Sequence, residues 1–341
     1  MFLLVAASSV LLAAESGDWI LHLGGKVERD RGGNVVAANL RGSWINDVEM
    51  IDLARLPHLE RLDLSHTRIT DEGMLHLKTA PEISDLNLYY AEQVTDQGMT
   101  AIKDWKHLKR LNVRVTRISD GTLEIVSRLT QLEALDIANT QVTDNGLDYL
   151  ITLTSLKELS LGRSRLSDNA LAVLRMLPTL TYLDLSGSRG VLRGQRAGGG
   201  GAMPESMVRA IAELKDLRVL KLGYSNISGE GLRVLHSLEK VEKLGLEWCP
   251  RIDDNAAAEL ANWKSLKYVD VQETRVTTKG LEDLGKAKPG LVILANPTTA
   301  GKRAAWEKYL ELGPTQVEAV TRTREVRRQR RHTVVSDLAL A

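Results

Sequence analysis

The sequence predicts an α/β solenoid, a curved horseshoe of about ten stacked units with a parallel sheet on its concave side and helices on its convex side. Three observations lead there. Leucine-led segments recur at a nearly constant step, the apolar spacing inside each switches from twos to threes, and a Thr/Ser-Asp pair marks the switch.

The recurrence is visible on alignment. LERLDLSHTRITDEGMLHLKTAPE starts at Leu59, LKRLNVRVTRISDGTLEIVSRLTQ at Leu108, LEALDIANTQVTDNGLDYLITLTS at Leu132 and LKELSLGRSRLSDNALAVLRMLPT at Leu156. Units begin at Val35, Leu59, Ile83, Leu108, Leu132, Leu156, Leu180, Leu217, Val241, Leu266 and, incompletely, Leu291. Most steps are 24 residues, three are 25 and one is 37. A length of 341 residues would by itself suggest about two domains, but a sustained fixed period overrides that expectation.

Each unit reads as strand, turn, helix. The LxxLxL part alternates at period two, so its leucines face inward and the residues between them outward. Spacing in threes follows, as in Leu147, Leu150 and Leu153, which is one face of a helix. Thr70-Asp71, Thr95-Asp96, Ser119-Asp120, Thr143-Asp144 and Ser167-Asp168 stand at the change, where a side-chain oxygen can cap the first free amides and the acid suits the positive helix end. The ninth position carries Thr67, Thr116, Thr140, Ser164, Ser188, Ser225 or Thr274 and is expected to bond the backbone of the adjacent turn.

Along the chain, residues 1–16 (MFLLVAASSVLLAAES) fit the apolar region of a signal peptide, too short for the roughly 20 residues a membrane span needs and without a basic residue ahead of the run. A periplasmic or secreted protein is expected, or a cytoplasmic one if the start is misassigned. Residues 17–34 should cap the array with a short helix stopped at Gly24-Gly25 and strands joined through Asp30 to Asn34. The array covers residues 35–294, with an insertion over 190–202. Residues 295–313 read as a closing amphipathic helix with Trp306, Tyr309 and Leu310 on one side, and 314–341 as a solvated basic tail with six arginines between Arg322 and Arg331.

The pattern LxxLxLxxTxITDxGLxxLxxL resembles the leucine-rich repeat family, in particular its cysteine-containing subfamily and related bacterial 24-residue repeats. LGLEWCPRIDDNAAAEL comes nearest, with Cys249 at the ninth position and one extra residue before Ile252, which makes Cys249 a buried ladder residue against the next turn. The resemblance implies recognition of another macromolecule and no reaction. It also raises a second reading, a secreted effector-type adaptor of host ubiquitination machinery, against which stands the lack of an F-box-like helical segment ahead of the repeats.

Composition narrows function further. Forty-five basic residues balance 44 acidic ones, so nothing favours nucleic acid globally. Nucleic acid or acidic lipid could meet only the tail, and solvation is the expectation there. One cysteine excludes an internal disulfide, and seven scattered histidines assemble neither a zinc site nor a catalytic triad. No small-molecule cofactor, metal or catalytic residue is expected.

The glycine-rich run SGSRGVLRGQRAGGGGAMPE has the strand-loop-helix context of a phosphate loop only because every unit has it. It lacks the GK[ST] ending, and Glu205 at the helix start opposes phosphate, so a nucleotide-binding enzyme is the weakest reading.

The outward columns hold the candidate surface. The central column is Asn39, Asp63, Asn87, Asn112, Asp136, Ser160, Asp184, Lys221, Gly245 and Asp270, expected to keep the concave face wet. Tyr89, Tyr90, Tyr182, Tyr224, Trp248 and Tyr268 should face outward on the concave side or its ascending rim as interface anchors. Arg68, Arg117, Arg165, Arg251 and Arg275 should pair with acidic neighbours. The expected site for a protein partner of unknown identity is Tyr182, Tyr224, Trp248 and Tyr268 with Arg189, Arg193 and Arg196 of the insertion.

Overall fold

A computed structural model describes residues 17–164, 167, 170–187 and 203–295. Twelve strands form one sheet in strict sequence order. β1 (Lys26–Arg29) pairs antiparallel with β2 (Val35–Asn39), and every later strand adds in parallel. These are β3 (Arg61–Asp63), β4 (Asp85–Asn87), β5 (Arg110–Asn112), β6 (Ala134–Asp136), β7 (Glu158–Ser160), β8 (Tyr182–Asp184), β9 (Val219–Lys221), β10 (Lys243–Gly245), β11 (Tyr268–Asp270) and β12 (Val292–Leu294). The cap is as the sequence predicts, a helix Trp19–His22 followed by the β1–β2 hairpin.

Register follows from the repeat. Leu62 stands beside Leu86, Leu86 beside Leu111 and Leu111 beside Leu135, so each fourth-position leucine packs on its equivalents. Together with the leading, sixth and helix-face residues they form one continuous core from Ile20 to Ala295. With a single phenylalanine in the chain, that core is aliphatic, and its largest inserts are Trp105 and Trp263. The 37-residue step is absorbed without a break, since Leu183 pairs directly with Leu220.

Helices are shorter than the spacing suggests. A unit must travel out and back within its 24 residues, so four-residue turns such as Asp96–Met99 tighten into 3₁₀ segments such as Thr100–Ile102. Among its described residues the unit from Leu156 has a 3₁₀ segment, Ala170–Met176, and no α-helix.

The Thr-Asp-x-Gly motif is a ladder between units as well as a cap. Thr70, Thr95 and Thr277 cap their helices through a side-chain oxygen, whereas Ser119 and Thr143 do not. The aspartate instead reaches into the following unit. Asp71 accepts from the Thr95 amide at 2.7 Å and its hydroxyl at 2.6 Å, and Asp120 does the same for Thr143 at 2.8 and 2.6 Å. The glycine two positions on makes room for that carboxylate: a Cβ on Gly146 would lie 2.3 Å from Asp120 Oδ1. Where Thr122 replaces the glycine, its amide and hydroxyl both donate to Asp96, and these bonds with those from Ser119 outweigh burial and hold the Asp96 carboxyl below its ordinary value.

The ninth-position hydroxyls close their own turn, which corrects the expected bond to a neighbour. Thr67, Thr116, Thr140 and Thr274 donate to the carbonyls of Leu64, Val113, Ile137 and Val271, three residues back, at 2.6–2.7 Å. Ser225 instead contacts Cys249 Sγ of the following unit at 3.5 Å.

Candidate recognition surface

Positions three, five and seven of each unit present side chains on the concave side, and position eight stands at the rim beyond the strand. The central column has a structural duty that the sequence reading missed. Asn39, Asp63, Asn87, Asn112, Asp136, Asp184 and Asp270 each accept, through Oδ1, the backbone amide two residues ahead at 2.8–3.1 Å. An Asx residue can close the strand end this way, which explains its recurrence without any ligand.

The turn then passes through the left-handed region at position eight in every unit described there. His66, Tyr90, Val115, Asn139, Arg163, Tyr224, Trp248 and Glu273 have φ between 55° and 66°, and Gly42 and Gly187 take the same place at 64° and 68°. Backbone of this hand costs a non-glycine residue about 1–2 kcal/mol. Here it turns the side chain out of the strand row, so large residues can stand at the rim.

Two aromatic groups result. Tyr224 and Trp248, on consecutive turns, stack with centroids 5.7 Å apart and planes 6° from parallel, and they remain 36% and 46% exposed. His66 and Tyr90 stack at 5.1 Å, with Tyr89 edge-on to both. The other expected anchors sit differently. Tyr182 is 0% exposed beside Ala134 and Val219, with Lys221 Nζ 5.5 Å from its ring centroid, and Tyr268 is 5% exposed beside Val292 and Leu294. Both occupy position three, inside the strand row, and not the rim. Tyr89 is buried as well. Arg189, Arg193 and Arg196 lie outside the described residues.

The rim arginines do not pair as expected. Among the described residues, Arg68, Arg117, Arg251 and Arg275 are exposed and form no ion pair, although Arg68 lies over the Trp44 ring at 5.9 Å. Charge pairing runs along positions two and three instead, in Lys157–Glu133 and Lys267–Glu242 at 2.8 Å and Arg110–Asp85 at 2.9 Å. In-phase stacking brings opposite charges of adjacent turns together there, which leaves the rim guanidinium groups for other contacts.

Within the groove, a cavity of about 260 Å³ is lined by Glu28, Arg61, Asp85 and Arg110 on one side and Asn87, Asn112 and Asp136 on another. Burial pushes the Asp136 carboxyl up to about 6 against the pull of Arg114, whose Nη1 is 3.8 Å away. Glu247 lies against glycine, since a Cβ on Gly223 would fall 2.1 Å from its Oε1; desolvation and the Asp270 carboxylate raise it well above the ordinary value. Among the described residues no group of three His, Cys, Asp or Glu could hold a metal. Cys249 is fully buried, donates to the Leu222 carbonyl of the preceding unit at 3.3 Å, and is pushed up to about 12 by burial. It contacts the unit before it, where the sequence reading placed the one after.

The geometry defines a solenoid of parallel strands with a polar concave groove and an aromatic rim. The repeating unit of this chain is the leucine-rich repeat, and its fold is that of a leucine-rich-repeat solenoid. The leucine-rich-repeat family model matches residues 55–77 and 129–150. No curated protein matches the sequence. Solved structures it is similar to include an internalin from Listeria monocytogenes, at 18% identity over 86% of this chain and 92% of that one, TM-score 0.46. A leucine-rich-repeat protein of Leptospira interrogans shares 20% over 71% of this chain and 62% of its own, TM-score 0.48. The leucine-rich-repeat ectodomain of the Arabidopsis receptor kinase HAESA, solved with a peptide hormone ligand, shares 20% over 73% of this chain and 40% of its own, TM-score 0.51. At that identity the likeness is one of fold.

Proposed function

We propose that this chain recognises another protein without catalysis, through the ascending rim around Tyr224 and Trp248 and the adjoining concave face. The observation that carries the reading is the stacked, near-parallel Tyr224–Trp248 pair. Two large rings stacked on each other and partly exposed, on a backbone of costly handedness, form a rigid apolar anchor of the kind found at interfaces. Arg251 and Arg275 beside it favour a partner surface that presents carboxylates around an apolar centre.

A polypeptide ligand is the class to which the HAESA complex belongs, and that supports the same class here. The apolar run at residues 1–16 supports encounter outside the cytoplasm. Affinity capture from the native extract with the wild type beside a Tyr224→Ala, Trp248→Ala double variant tests the assignment. A partner retained by the wild type should be depleted at least tenfold by the variant; equal yields from both would remove the rim from the interface.

A further inference from the structure

The concave face of the last seven strands differs from the rest. Ala134, Tyr182 and Val219 form one buried apolar cluster and Tyr268, Val292 and Leu294 another, both separate from the solenoid core. Among them stand five carboxylates, Asp136, Glu158, Asp184, Glu247 and Asp270, against two lysines, Lys221 and Lys243. Apolar side chains dominate at the β11–β12 end, and Asp184, Glu158 and Asp136 follow on β8, β7 and β6.

The chain leaves the sheet at this end. Forty-six residues follow Ala295, and in sequence they repeat the same order of chemistry, first Trp306, Tyr309 and Leu310, then the six arginines between Arg322 and Arg331. From Lys302 onward nine basic residues face five acidic ones. At about 4.8 Å per strand, β8 lies roughly 19 Å and β6 roughly 29 Å from β12. Arg322 is 27 residues beyond Ala295, enough for about 40 Å even if wholly helical.

We infer that the C-terminal segment folds back into the concave groove of its own chain, its Trp306–Leu310 stretch on the Tyr268–Val292–Leu294 cluster and its arginines on Asp184, Glu158 and Asp136. Order, length and charge all match for this occupant. Tethering gives the segment a high effective concentration over the groove, so modest contacts suffice to keep it seated. If the concave face also receives the partner, which rests on the reading above, the tail is its built-in competitor.

The reactivity of Lys243 toward an amine-acetylating reagent, read by mass spectrometry on the full chain at low salt, tests the docking without any partner. Lys243 is 8% exposed, whereas the Lys157 and Lys267 side chains are 55% and 57% exposed and serve as internal standards. Ending the chain after Ala300, or changing all six tail arginines to glutamate, should raise Lys243 labelling at least fivefold relative to those standards. The charge-reversed full chain decides the matter if the shortened chain fails to fold. Unchanged protection in a folded variant overturns the proposal. Protection that fades on dilution of the wild type assigns the groove to a second copy and overturns it equally.

Discussion

Gly146→Ala should destabilise this protein although alanine is the better helix former, and the loss should vanish once Asp120 is removed. Gly146 lies in the helix Asp144–Leu147, where replacing glycine ordinarily gains about 1 kcal/mol. Its added Cβ would meet Asp120 Oδ1 at 2.3 Å and Cγ at 2.9 Å, where ordinary contact begins at 3.4 Å. The carboxylate must retreat by ~1 Å, which breaks its bonds to the Thr143 amide and hydroxyl. Bonds to a charged acceptor contribute about 1.5–3 kcal/mol each, and exposure at this site reduces the pair to ~2 kcal/mol. Gly146→Ala should therefore cost ~1 kcal/mol net and Asp120→Ala ~2 kcal/mol. In the Asp120→Ala background, Gly146→Ala should gain up to ~1 kcal/mol, a coupling of ~2 kcal/mol. Urea midpoints at constant m-value measure all four corners of the cycle. Additivity within ~0.5 kcal/mol would refute the carboxylate-shelf account of the motif.

Val115→Gly should be neutral or stabilising by ~1 kcal/mol, because a β-branched residue there holds φ at 58°, while Val113→Gly, two residues away in the core, should cost at least ~3 kcal/mol; thermal melts distinguish the two. Asp136 keeps its proton more tightly folded than unfolded, so its contribution is full below about pH 4 and is lost as pH rises towards 6, on the order of 3 kcal/mol. Asp136→Asn should accordingly flatten the urea midpoint between pH 4 and 6, and a parallel pH profile would contradict this. Cys249 should resist iodoacetamide at pH 8 in the folded protein and react fully in guanidinium, as a thiol pushed up to about 12 requires.

The period of 24 and the LxxLxL alternation made the sheet, its register and its parallel order legible before any coordinates. Each unit can bury its leucines only against the next, and the pairing of Leu183 with Leu220 across the 37-residue step followed from the same constraint. The candidate site was legible only in part. Tyr224 and Trp248 were found because exposed aromatics stand out against an aliphatic chain. Tyr182 and Tyr268 were grouped with them because alternation says which side of a strand a residue faces, not what closes over it. The same limit applied to the rim arginines, whose expected partners had already been taken by in-phase pairs at positions two and three.

What the sequence determined by itself is therefore everything that depends on period: strand, turn, helix and the stacking of like on like, since these are set by local spacing and by the need to bury leucine. What the tertiary structure decided is everything that depends on the twenty-fourth neighbour. The aspartate of Thr-Asp-x-Gly reads locally as a helix charge, and only stacking shows it bonded across to the next threonine against a glycine left bare for it. The eighth residue reads as an ordinary surface position, and only the closed turn shows why it takes the left-handed backbone that carries Tyr224 and Trp248 out to the rim.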